Sequence, residues 1–382
     1  GSYDALMEDP DVEMIYIAAP NHLPYQQARA CILNEKPVLL EKPFTLNEQQ
    51  AQALIDLAEM HQVFLCEAMW VRFMPLLHYL KKELENEKIG EVTSVMADIG
   101  YDLKEKERVN RLDMGGGALL DIGVYPITLA LAVLGKDIDN ISTSMVRMNS
   151  GVDAQECVNL TYTSGAIAGL YITMLSATER QGRIYGTEGY IEVDDINNYQ
   201  CYRIYDKTGN LLETVERPDQ ISGLEYEVQA CIHAIRGKKL ECQEMTHSDT
   251  VFLMRVLDAV HQAVFKGRDE HHVTASHHPL GHVVAQSAHV HQSHIGPLQS
   301  GGGTSLHQYV GRPVAQQTLR SACSHGHAAQ SQHGHHGAIY PGFVGFHYLY
   351  GTLVGVGIER RCHLQTLPRD AAHLVLLCCH RA

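Results

Sequence analysis

Two apolar runs, Val38-Leu39-Leu40 and Val63-Phe64-Leu65, each break off into charged and aromatic residues. The first ends in Glu41-Lys42-Pro43, the second in Glu67-Ala68-Met69-Trp70-Val71-Arg72-Phe73. Each run reads as a buried strand whose C-terminal end delivers functional groups. Between them, Leu54, Ile55, Leu57 and Ala58 form an apolar stripe, which predicts an amphipathic helix over Leu46 to His61. Thr45 and Glu48 fit a capping box at its start. A strand–helix–strand unit of this size is a right-handed crossover in a parallel sheet. Ligands of such sheets sit at the carboxyl ends of the strands, which makes Lys42 a candidate functional lysine.

The flanking pattern extends this reading. Residues 11–19 form a further short buried strand ended by Pro20-Asn21-His22, and Tyr25 to Asn34 the helix that follows. Pro75 to Glu87 is a charged amphipathic helix, and Val92 to Tyr101 a strand that opens a second domain. A polar loop, Arg108 to Met114, leads to Gly115-Gly116-Gly117 and a largely buried helix over Ala118 to Leu134. Strands are then expected at 141–148, 156–163, 166–176, 182–185 and 190–194, with hairpin turns at Ser164-Gly165 and Thr187-Glu188-Gly189. Helices over Tyr226 to Arg236 and Asp249 to Val264 complete the domain. The class is α/β: a partial doubly wound, Rossmann-like parallel sheet, followed by an α+β domain with a large, mostly antiparallel sheet. The boundaries fall at 1–72, 73–266 and 267–382. One face of the large sheet would pack on the Ala118–Leu134 helix, and the other would form a homodimer interface.

Asp121 and Tyr125, four apart on a helix, share a face. A helix N-terminal acid beside a core tyrosine is the plain account of that spacing. Trp70, the sole tryptophan, is either an apolar wall beside a ligand or a packed interdomain side chain. Arg72 either pairs with a carboxylate of the same loop or reaches substrate. His22 is a helix cap or a ligand. Tyr101 and Arg111 lie where they could reach a pocket from the second domain.

Glu41-Lys42-Pro43, Glu67-Ala68-Met69-Trp70 and Gly115-Gly116-Gly117-Ala118-Leu119-Leu120-Asp121-Ile122-Gly123-Val124-Tyr125-Pro126 follow in that order. Together they resemble the glucose–fructose oxidoreductase/inositol dehydrogenase (Gfo/Idh/MocA) family of nicotinamide enzymes, from about Ser2 to about Lys266. Tyr125 and Trp70 are most similar to its trans-dihydrodiol dehydrogenase and D-xylose dehydrogenase branch; most relatives carry histidine where Tyr125 stands. The resemblance implies hydride transfer between NADP (NAD being the alternative) and a secondary alcohol of a trans-dihydrodiol or cyclic sugar. By the same resemblance Tyr125 is the general base, Lys42 its activator, and Asp121 the group that orients both. An ammonium beside a phenol lowers the phenol pKa from its usual value near 10. Pro20, Asn21, His22, Glu41, Lys42 and Trp70 would contact the cofactor; Trp70, Arg72, Tyr101, Asp121 and Tyr125 the substrate. Pro43 resembles the family's often cis proline. Alternatives are a non-catalytic sugar- or cofactor-sensing relative and an inactive fragment.

The fragment reading comes from the ends. The family opens with a strand and a Gly-x-Gly-x-x-Gly turn that holds the cofactor pyrophosphate. The opening Ser2-Tyr3-Asp4-Ala5-Leu6-Met7 instead resembles the short helix before the family's fourth strand. The resemblance thus implies an N-terminal truncation of roughly 60 residues, about half of a typical domain.

Residues 1–266 carry 23 Lys and Arg against 40 Asp and Glu; residues 267–382 carry seven arginines, no lysine and four acids, with 18 of the 24 histidines. So sharp a break marks a boundary. The histidines have no regular Cys-x-x-Cys partner, so the stretch reads as a disordered or non-native tail with adventitious metal affinity, and no dedicated metal site is expected. The acidic balance disfavours nucleic acid and anionic membranes. No unbroken apolar run reaches the ~20 residues that span a bilayer, and no basic-then-apolar signal segment opens the sequence. The ten cysteines show no framework spacing, so a reduced, cytoplasmic setting is expected.

Overall fold

The computed structural model describes residues 2–266 and 374–378. Helix α1 (Tyr3–Glu8) precedes three alternations of strand and helix: β1 (Met14–Ala18), α2 (Pro24–Leu33), β2 (Val38–Glu41), α3 (Glu48–His61) and β3 (Leu65–Ala68). The three strands pair side by side and parallel, β1 with β2 and β2 with β3. Their side chains are sheathed on both faces: Val38, Leu39 and Leu40 have no exposed surface. Burial of each contributes roughly 1.5–3 kcal/mol, which is why a continuous apolar run is needed here rather than an alternating one.

Helix α3 starts two residues later than the sequence pattern suggests, because a different pair closes the box. The Asn47 side chain accepts from the Gln50 amide at 2.9 Å, and Gln50 Oε1 accepts from the Leu46 amide at 3.2 Å. Thr45 donates instead to the Asn47 carbonyl at 2.8 Å.

A short 3₁₀ turn, Trp70–Arg72, leads into α4 (Pro75–Glu85) and then β4 (Val92–Gly100). The helix expected over Ala118–Leu134 is divided into a π-helical turn, Leu119–Gly123, and α5 (Val124–Leu134). Leu112–Leu134 is long and apolar enough by composition to cross a bilayer, yet 78% of its most apolar window is buried inside the protein, as a core helix would be.

Beyond α5 come β5 (Ile138–Arg147), β6 (Asp153–Tyr162), β7 (Ile167–Thr173), β8 (Gly182–Gly186), β9 (Gly189–Val193), β10 (Cys201–Asp206) and β11 (Leu211–Glu216). With β4 they make an eight-stranded sheet ordered β11-β10-β9-β8-β4-β7-β6-β5. Only β4 and β7 run parallel; the other pairs are antiparallel. The β10–β11 hairpin is an addition to the sequence reading. Along β4, Val95, Ala97 and Ile99 are buried while Met96 is half exposed, so one face is covered and the other open. Helices α6 (Glu225–Arg236) and α7 (His247–Lys266) follow. From α7, Asp258 accepts the Glu48 amide at 2.8 Å and Arg255 pairs with Glu48, so the two domains share the start of α3.

Of the stretch expected to be a structureless tail, residues 374–378 form β12, which pairs parallel with β1, Met14 opposite Leu374. That edge of the small sheet is therefore paired, not bare. The remaining tail residues, including every histidine of the tract, lie outside the described residues.

Candidate active site

Because β1, β2 and β3 are parallel neighbours, Pro20-Asn21-His22, Glu41-Lys42-Pro43 and Trp70 emerge along one rim. The peptide bond between Lys42 and Pro43 is cis. Lys42 Nζ donates to the Asp121 backbone carbonyl at 2.6 Å and lies 5.2 Å from the centroid of the Tyr125 ring. An ammonium over a ring face is attracted by the ring quadrupole. The Trp70 indole lies at the Tyr125 hydroxyl, where it favours the ionised phenol. Lys42, Trp70, Asp121 and Tyr125, chosen from widely separated motifs, are thus one cluster.

The π-helical turn explains how Lys42 finds its acceptor. In such a turn each carbonyl looks to the N–H five residues on. For Asp121 that residue is Pro126, which has no N–H to give, and the Lys42 ammonium takes the acceptor. The Asp121 carboxylate faces elsewhere. Its two oxygens receive Nη1 and Nη2 of Arg108 at 2.6 and 3.3 Å. Asp121 therefore meets Lys42 through its backbone carbonyl. Nothing in the sequence separates Arg108 from Arg111, three residues on in the same polar loop. The structure does, by partner rather than by exposure: Arg111 is occupied by Asp113 and Glu107.

Arg72 is also reassigned. Its Nε donates to the Glu244 carbonyl at 2.9 Å and its Nη2 pairs with Asp249 at 3.2 Å, a carboxylate outside its own loop, so it ties the end of β3 to the start of α7. Tyr101 does border the cluster: its hydroxyl donates to Asn197 at 3.0 Å, and the Arg180 guanidinium stacks 5.1 Å from its ring. Glu41 accepts from the Tyr16 hydroxyl and, at 3.1 Å, from the Lys42 amide. Asn21 donates to the Gly115 carbonyl at 2.8 Å, joining the rim to the glycine segment. In that segment Gly117 has φ +122°, and a Cβ there would collide with the Asp153 carboxylate. The absence of a side chain lets Asp153 accept the Leu119 amide at 2.6 Å and cap the helix that carries Asp121 and Tyr125.

Residues 1–68 match the oxidoreductase family with an NAD-binding Rossmann fold, and residues 77–192 the GFO/IDH/MocA C-terminal domain. A trans-1,2-dihydrobenzene-1,2-diol dehydrogenase of Danio rerio is 31% identical over 280 residues, 69% of this chain and 81% of the relative. The chain belongs to the Gfo/Idh/MocA family of oxidoreductases. A D-xylose 1-dehydrogenase (NADP(+)) of Hypocrea jecorina is 27% identical over 68% of this chain and 74% of its own. Among solved structures, a 3-ketoreductase from Actinomadura kijaniata in complex with TDP-benzene and NADP superposes with a TM-score of 0.61 at 26% identity, covering 69% of this chain and 81% of that one.

Within this Gfo/Idh/MocA site the electrostatics differ from the simple expectation that Lys42 lowers the Tyr125 pKa. Burial first, then the negative Glu41, push the Tyr125 phenol well above its ordinary value; the Trp70 indole works the other way and does not prevail. Tyr125 is held as a proton donor. Burial also opposes ionisation of Asp121, but the Lys42 ammonium and the Arg108 guanidinium outweigh it and hold that carboxyl below the usual range. Burial raises Glu41 against the pull of Lys42.

A nicotinamide fits the groups at this rim. His22 Nδ1 is buried without a hydrogen-bond partner among the described residues, at the strand end where a polar ligand would supply one. Lys42 and Trp70 offer a cation and an aromatic wall beside it. No Gly-x-Gly-x-x-Gly turn occurs among the described residues, so the groups present account for the nicotinamide end of a dinucleotide and not for its pyrophosphate.

Proposed function

We propose that this chain moves a hydride between NADP and a secondary alcohol of a vicinal diol or cyclic sugar, with Tyr125 as the proton-transfer group. The carrying observation is the convergence of Lys42 and Trp70 on Tyr125, one over its ring and one at its hydroxyl. The nicotinamide, when bound, supplies or accepts the hydride. In the reducing direction a protonated Tyr125 donates to the carbonyl oxygen as it becomes an alkoxide, and in the oxidising direction it takes that proton back. Lys42 places a positive charge beside the same oxygen, where it is more effective than in water because the site is buried. The raised pKa of Tyr125 suits the reducing direction at neutral pH, since a general acid must hold its proton until the transition state. NADP rather than NAD is favoured by the relatives whose names specify the cofactor.

The open face of the large sheet, with Met96 and Ile167 about half exposed, supports a homodimer through that surface. The described cysteines are free thiols, which supports a reducing, cytoplasmic setting.

Trp70, the only tryptophan, is the reporter for the test. NADPH and NADH are titrated into the protein while energy transfer from Trp70 to the reduced nicotinamide is followed. Saturable transfer that disappears in Lys42→Ala, with turnover on a panel of diols and aldoses, is the expected result. Binding without any turnover would favour a sensing role, and no transfer in folded protein would sink the proposal.

A further inference from the structure

Away from the hydride-transfer site, three cysteines from three separate segments meet in the core. Cys66 lies in β3, Cys231 in the middle of α6, and Cys242 in the segment between α6 and α7. Their sulfurs all lie within 4.8 Å of one another, and those of Cys231 and Cys242 are 3.8 Å apart. None of the three is more than 2% exposed.

We infer that Cys66, Cys231 and Cys242 form a three-thiolate site for zinc(II), supported by the buried Glu227 carboxyl one helical turn from Cys231, which clamps β3 to α6. Zinc–sulfur bonds of about 2.3 Å in a tetrahedron place ligand sulfurs about 3.8 Å apart. The Cys231–Cys242 separation already has that value. Glu227 stands four residues before Cys231 on α6 and so shares its face. It is 1% exposed, and its Oε2 has no hydrogen-bond partner among the described residues.

Three small thiols filling a core would be unremarkable by themselves. A fully buried carboxyl with an unpartnered oxygen beside them is not, because burying such a group without a partner is costly. Zinc binding would release the thiol protons and leave the sulfurs as thiolates. With all three sulfurs shut off from solvent no position is open to a substrate, so the site is structural rather than catalytic. The clamp bears on the hydride-transfer rim. Cys66 is four residues ahead of Trp70, and the Trp70 ring packs on Gly223, just before α6, so closely that a Cβ there would sit 3.1 Å from it.

The test uses the full chain, stripped of metal with a chelator and titrated with cobalt(II). The 18 histidines beyond residue 266 will also take up cobalt, but only thiolate ligation gives an ultraviolet sulfur-to-cobalt charge-transfer band. That band is expected to saturate at one cobalt per chain, to vanish on adding zinc, and to persist in Cys157→Ser, an exposed control. Cys231→Ser should weaken the affinity at least 100-fold, and Glu227→Gln about 10–100-fold with the band retained. A band unchanged in Cys231→Ser would assign the cobalt to other cysteines and overturn the proposal. Should the serine variant not fold, X-ray absorption on the zinc-loaded wild-type protein decides. Three sulfurs at about 2.3 Å support the site, and a shell of nitrogen and oxygen alone removes it.

Discussion

The ammonium of Lys42 donates to the backbone carbonyl of Asp121 at 2.6 Å, although the two residues are 79 positions apart and belong to different domains. The contact fixes Lys42 over the Tyr125 ring without using the Asp121 carboxylate, which Arg108 holds. Replacing Lys42 by methionine keeps the stem and removes the charge. Turnover of NADPH with a ketone or sugar lactone substrate should fall about 10²–10⁴-fold. Lys42→Arg should not restore it, because a planar fork cannot take the place of a point charge at one carbonyl. Full activity in the methionine variant would remove Lys42 from the reaction.

Tyr125→Phe should lower kcat by a similar factor of about 10²–10⁴ while leaving nucleotide binding intact. The wild-type pH profile carries the sign of the raised phenol pKa. Reduction needs the protonated form, so its kcat/KM should hold across neutral pH and fall only above 10. Oxidation needs the phenolate, so its kcat/KM should climb with pH over the same range. A reductive rate that collapses between pH 7 and 8 would show instead that Lys42 wins and the phenol is acidic.

The small sheet and its rim are legible in the sequence because β2 and β3 are continuous apolar runs that stop abruptly at charged residues. The chain offers fewer cues elsewhere. Thr45/Glu48 and Asn47/Gln50 are both spaced like a capping box, and only backbone geometry chooses the second. The β10–β11 hairpin escapes notice because Leu211 and Leu212 lie exposed while Glu213 and Val215 take the half-buried side, so apolar residues do not mark the covered face. The π-helical turn has no periodic signature at all. It is nonetheless what makes Asp121 act through its carbonyl. Arg72 and Arg108 exchange roles because what settles each is a carboxylate brought in by the fold, Asp249 for one and Asp121 for the other.

Arg108 supports the site from a half-exposed position, so its ion pair with Asp121 should contribute no more than about 1 kcal/mol. Asp121 has a depressed pKa. The stability it lends is present above the unfolded value near 3.9 and is lost as pH falls through the folded value. Arg108→Gln should therefore lower Tm by about 2–4 °C at pH 7. The gap should close as the pH approaches 3. Thermal melts that stay parallel at every pH would show that the pair does not act through Asp121 ionisation.

Glu156 gives the opposite sign. Burial, and after it the negative Asp153, push its carboxyl up to about 9. The unfolded value is near 4.3, so between pH 4.3 and 9 the folded chain holds a proton that the unfolded chain has released. Stability must then decline as pH rises across that window. Glu156→Gln removes the titration and still offers an N–H to Asp153, the residue that caps Leu119. At pH 4, where both forms of the wild-type residue are neutral, variant and wild type should melt together. At pH 8 the variant should be the more stable by several kcal/mol, since each pH unit above the unfolded value costs the wild type about 1.4 kcal/mol. Differential scanning calorimetry at the two pH values checks this. A Tm difference that does not grow from pH 4 to pH 8 would mean that Glu156 is already ionised in the folded chain and that its partner is a cation rather than a proton.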